Sequence, residues 1–268
     1  MEYGARGTVA GAWEATAHMA NQNLETLDLT GVTEIGSQGF SYSCINCPNL
    51  RTIRFPTNAT YTGNSFVQAF RGTSPTGTIT LDYSNGDMSK SVFTNSFNTT
   101  GGNFNFHLTL PETIQDINTG TFTSMFANST GIKKITVSGL KNHLVKQNTG
   151  GGFGTTTSYW THGSTSLTEI EWPDLEVIGL ETSQSYCRLQ LMDITNTGIQ
   201  TMSLPKLREL RFVGSSSSSV LITGATFNTP CDFVTDWYFP SLTVIGRYGL
   251  SGISNTTFHF GAANQATI

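Results

Sequence analysis

Cysteine and histidine are the residue types here best suited to metal or redox chemistry, so their spacing is the first test of function. Cys44 and Cys47 form a C-x-x-C pair, which is half of a zinc site, but the second half, another C-x-x-C or an H-x-x-x-H, is missing. Cys187 and Cys231 have no cysteine or histidine neighbour within ligand spacing. A redox pair would sit at a helix N-terminus, which lowers a thiol pKa, whereas Cys44 and Cys47 fall in a turn-rich stretch. They read as buried thiols, with a strained Cys44–Cys47 disulfide as the alternative. His18, His107, His143, His162 and His259 are scattered, and none belongs to H-E-x-x-H. No G-x-S-x-G elbow occurs. The run Thr149–Gly154 lacks the Lys-Ser/Thr ending of a phosphate loop, and Ser215–Ser219 reads as a loop. Carboxylate pairs such as Asp232/Asp236 are expected by chance among 18 acids. The residues thus nominate no catalytic group, no metal site and no cofactor. Asn58, Asn98, Asn128 and Asn255 lie in N-x-T sequences, which matter only in a glycosylating secretory pathway.

The order in the chain lies elsewhere. Leu24, Leu27 and Leu29 are spaced L-x-x-L-x-L, and Leu50, Ile53 and Phe55 repeat the pattern 26 positions later. Two-residue cores recur at Ile79/Leu81, Leu108/Leu110, Ile135/Val137, Ile170/Trp172 and Met202/Leu204, with steps of 26, 26, 29, 27, 35 and 32 residues along the series. Repetition at 20 to 50 residues marks a solenoid or array. Each core predicts a short strand with alternate residues buried. Between cores, Phe66/Phe70, Phe93/Phe97 and Phe122/Phe126 stand four apart, which predicts a single helical turn with both rings on one face. Cys44 occupies the slot of the second ring in the first such segment. One unit cannot bury its apolar face alone, so neighbours must stack.

The order L-x-x-I-x-[LF]-P, then V/L-x-x-I-G, then F-x-x-C/S resembles the leucine-rich repeats of the BspA type. The best pieces are Leu24–Pro56, Phe126–Leu140, Leu167–Gly179 and Phe239–Gly246. The resemblance implies a leucine-rich-repeat-like solenoid with one parallel β-sheet face and short helical or irregular return segments. Crossovers between parallel strands are right-handed in nearly all proteins, so the coil is expected to be right-handed. The family occurs on bacterial surface proteins and in phages, which implies recognition or adhesion outside the cell.

Residues 1–23 are expected to form an N-terminal cap, with a short helix over Glu14–Ala20 and Trp13 and Met19 laid on the first coil. Residues 24–268 are expected to form the solenoid, regular to about 140 and with insertions beyond it. Charged residues make up 12% of the chain, against about 25% in ordinary domains. With a net charge of −4 and no basic stripe, a nucleic-acid partner is disfavoured. No run of 18 apolar residues predicts membrane insertion. The N-terminus does not read as a signal peptide. The C-terminal GAANQATI lacks a capping pattern, which suggests a fragment or end-to-end docking to further repeats or domains.

Within each core the middle residue must point outward. Asp28, Arg54, Thr80, Thr109, Thr136, Glu171 and Ser203 are therefore the expected row along the exposed face, extended by His259 if a last strand forms there. No aromatic stripe is apparent in that row. Tyr83, Tyr159, Trp160, Tyr186, Trp237 and Tyr238 fall in the insertions, as anchors for a partner or, for Trp160 and Trp237, as core plugs. The expected function is a non-catalytic module binding a protein or glycan at a cell surface. The alternative is a structural or receptor-contacting part of a virion.

Overall fold

The computed structural model describes residues 2–9, 20–115, 117, 120–144, 154–155, 158–161, 163–179, 199, 201–211, 236–245 and 257–261. Among these there are strands and turns but no helix. The strands of the first half are β1 (Glu2–Val9), β2 (Thr26–Ile35), β3 (Thr52–Arg54), β4 (Thr60–Tyr61), β5 (Thr76–Asp82), β6 (Asn103–Thr109), β7 (Thr113–Ile114), β8 (Ile132–Ser138) and β9 (Asn142–His143). Those of the second half are β10 (Gly154–Thr155), β11 (Ser158–Tyr159), β12 (Glu169–Glu171), β13 (Val177–Ile178), β14 (Thr201–Ser203), β15 (Glu209–Leu210), β16 (Asp236–Phe239), β17 (Val244–Ile245) and β18 (Thr257–Phe260).

Apart from the small antiparallel hairpin β10–β11, every pair is parallel, so the chain makes a full circuit between neighbours: the protein is a parallel β-solenoid. A seven-stranded sheet runs β5-β6-β8-β12-β14-β16-β18. It is preceded by β1-β2-β3, and the step from β3 to β5 is bridged by Thr76 N–H donating to the Arg51 carbonyl at 2.9 Å. A second sheet, β7-β9-β13-β15-β17, follows each coil's main strand around a corner. In the first coils one long strand spans both sides of the corner within a separate four-stranded sheet, since β2 pairs with β3 through Thr26–Asp28 and with β4 through Glu34–Ile35.

The corner has a local cause. The Asp28 carboxylate accepts the Thr30 amide at 3.0 Å and its hydroxyl at 2.6 Å, and Asp82 does the same with Ser84 at 3.0 and 2.6 Å. Such Asx turns give the backbone an alternative to the ladder and so bend it. In the second sheet each corner carbonyl accepts two successive amides, as Glu176 does from Arg208 and Glu209 at 2.9 and 3.1 Å. Charges alternate up the same corner, Glu112, Lys141, Glu176, Arg208, with Lys141–Glu112 at 3.1 Å and Arg208–Glu176 at 3.4 Å.

The return segments correct the expected helical turn. A helix directs every amide to the carbonyl four residues back; here the amides alternate. Those of Phe40, Tyr42, Cys44 and Asn46 reach the next coil at Ser65, Val67, Ala69 and Arg71, while those of Ser41 and Ser43 close turns onto Gln38 and Phe40. The next coils repeat this, with Phe66, Gln68, Phe70 and Gly72 donating to Val92, Thr94, Ser96 and Asn98. Every second turn needs a left-handed third residue, as in type II. Tyr42, Asn46, Gln68, Gly72, Asn95, Thr99, Ser124 and Asn128 have φ between 51° and 70°. Two turns span four residues, so the paired rings share a face without a helix.

One continuous core fills the coil from Leu24 to Leu242. Its spine is a stack of rings: Phe40–Phe66, Phe66–Phe93 and Phe93–Phe122 lie 5.6, 5.5 and 5.8 Å apart and within 11° of parallel. Beside it run Phe70–Phe97 and Phe97–Phe126 at 4.9 and 5.7 Å. Buried hydroxyls line the turn side and take up spare carbonyl lone pairs of the coil before, as Ser96 does from Phe66 at 2.7 Å. Trp160 is a core plug, and Tyr83, expected as a surface anchor, is buried as well. Residues 2–9 of the expected cap form β1, parallel to β2. The helix at 14–19, the Thr149–Gly154 loop apart from Gly154, Ser215–Ser219, Asp232, Tyr186, His162, Cys187 and Cys231 lie outside the described residues.

Candidate functional site

Parallel register decides which outward residues become neighbours. Asp28 pairs with Arg54. In the main sheet Thr80 is level with His107, Thr136, Glu171, Ser203, Tyr238 and His259, strand by strand. This corrects one member of the expected row: Thr109 is on the same face but one step along, level with Asp82 and Ser138, and His107 takes its place. The fourth core is therefore Phe106/Leu108, both buried. Tyr238 is added to the row because Asp236–Phe239 is a sheet strand and not an insertion, with Trp237 level with Met202 and Phe258.

Arg54 Nη1 lies 3.2 Å from Asp28 Oδ2 across the first rung. The Thr30 hydroxyl and amide hold the Asp28 carboxyl below its ordinary pKa, with Arg54 adding to the effect. In the middle of the row Lys134 Nζ reaches Glu169 Oε1 at 3.0 Å and Glu171 Oε1 at 2.8 Å, and Thr136 donates toward Glu171 Oε2 at 3.5 Å. Partial burial opposes ionisation of both Lys134 and Glu171. The hydrogen bonds between them outweigh it, raising Lys134 and lowering Glu171, so both stay charged. At the far end the Tyr238 and His259 rings stack face to face, 4.5 Å apart and 7° from parallel, with Tyr238 exposed.

His107 Nε2 lies 2.8 Å from Ser138 Oγ, which Thr109 Oγ1 approaches at 3.2 Å. This is the spacing of a nucleophile and its base. The pair is half-buried on the outer face of the sheet, and the Gly139 amide beside it is already given to Asp174 Oδ2 at 3.0 Å. A motif scan misses the pair, because 31 residues separate its members.

Cys44 and Cys47 are not joined in a disulfide, and both are fully buried. They interact thiol to thiol, which with burial pushes Cys44 up and, through the Cys44 hydrogen bond, draws Cys47 down. Among the described residues no three His, Cys, Asp or Glu side chains are grouped to hold a metal ion, and no helix is long and apolar enough to cross a membrane. The chain matches no protein-family model, no curated protein and no solved structure.

Proposed function

We propose that this chain is a recognition module that binds a protein or glycan partner, at a cell surface, through the outward row of its main sheet, and catalyses no reaction. The observation that carries the reading is the row itself. Polar side chains from successive strands stand at one level, about 4.8 Å apart, on a scaffold whose other faces are occupied by turns and by a second sheet. A preset array costs a partner little ordering on binding. Extended faces of this kind are how stacked-repeat proteins usually engage partners. The resemblance of the repeat to the BspA type supports the placement outside the cell.

The test is binding of purified protein to a glycan array and to intact cells, compared with a variant carrying Arg54→Ala and Thr80→Glu. The variant is expected to keep its unfolding midpoint and lose at least about tenfold in affinity, since a like-charge or desolvated-polar clash across an interface costs more than 1.4 kcal/mol. Unchanged binding would remove the Arg54–Thr80 end from the site. Turnover of a glycan or peptide by the purified protein would overturn the non-catalytic reading.

A further inference from the structure

Resting on that reading, we infer that the far end of the row holds a receptor slot for an arginine side chain of a partner protein, over Ser203 and between Tyr238 and Glu171. The Tyr238 and His259 rings face each other along the row. The second face of Tyr238 is therefore turned toward the Ser203 strand, its parallel neighbour. A serine is too short to cover a ring, and the next outward side chain is Glu171, one strand further. Two strand spacings put Tyr238 and Glu171 about 10 Å apart, wide enough for one flat group with van der Waals contact on both sides.

Charge selects among flat groups. Glu169 and Glu171 share the single ammonium of Lys134, which leaves one negative charge in excess, and Glu171 is held ionised. A neutral sugar would stack on the ring but leave that charge unanswered. An ammonium would answer the charge but could not lie flat on the ring. A guanidinium does both, stacking on the aromatic face while its N–H groups reach the carboxylate and the serine hydroxyl.

The test uses N-acetyl-arginine amide as the probe and the Tyr238 ring signals in NMR as the readout. The expected result is a saturable shift, weaker by about threefold to tenfold for the lysine analogue and absent for methyl glucoside. Ser203→Phe, which fills the slot with a further ring at an outward position, should abolish the response. Glu171→Gln should weaken it. The inference is overturned if arginine and lysine probes act alike, if the glycoside shifts the ring instead, or if Ser203→Phe responds as wild type. A silent slot combined with partner binding lost in the Arg54/Thr80 variant would sink this inference and leave the recognition reading standing.

Discussion

Serine and threonine do two unlike jobs in this chain. Those of the outward row, such as Thr80 and Thr136, face solvent, while Ser65, Ser96, Thr100, Ser129 and Ser164 are buried and hydrogen-bonded to carbonyls of the coil before. The low charge of the sequence is thus partly a requirement of the interior. His143 is a second polar residue in the core, level with Ile114 and Ile178. Burial lowers its pKa to about 4. The unfolded chain binds a proton near 6.5 and the folded chain does not until about 4, so stability is full above pH 6.5 and falls as pH drops toward 4. The loss should be about 2.4 kcal/mol, read from denaturant unfolding at pH 7 and pH 4.5. His143→Leu should remove most of that slope; an unchanged slope would mean the ring is solvated. Phe66 is fully buried among Phe40, Phe70 and Phe93. Phe66→Ala should cost about 3 to 5 kcal/mol, and a loss below about 1 kcal/mol would place the ring at the surface.

The turn ladder makes its own prediction. Thr99 is a β-branched, exposed residue at φ 54° in a left-handed position, a conformation that costs an L-residue about 1–2 kcal/mol. Thr99→Asn, which tolerates that region, should raise stability by about 0.5–1 kcal/mol, seen as a higher unfolding midpoint; destabilisation would contradict the turn assignment. The same ladder shows what could be read from sequence. The four-residue spacing of Phe66/Phe70 and its successors correctly placed both rings inward, but helix and paired turns share that spacing. Only the direction of the amides separates them. Proline was a similar half-guide. The outward residue stands two before proline at Arg54, Glu171, Ser203 and Tyr238, a signal that would have found Tyr238. The same rule misplaces Thr109, because β6 runs two residues further before Pro111 than β12 does before Pro173. His107 is the residue level with Thr80 and Thr136.

Over the whole coil, each unit touches its neighbours through strands, rings and hydroxyls, so stability should be local and coupled to the nearest coils. In hydrogen exchange Phe66→Ala should loosen β4, β5 and β6 before β14. Uniform loosening would instead indicate one all-or-none unit. The stacked parallel strands were legible from periodicity. The second sheet and the place of Tyr238 in the row were not, because they depend on corner geometry and on register between segments far apart in the chain. Register is also what both functional readings share. It can be measured by pairing Thr80→Cys with His107→Cys in one protein and with Thr109→Cys in another, then oxidising each. Level partners lie about 4.8 Å apart and partners offset by two residues about 8 Å, whereas a disulfide needs Cα atoms within about 7 Å. The 80/107 pair should close and the 80/109 pair should not. Closure of 80/109 alone would break the row on which the account rests.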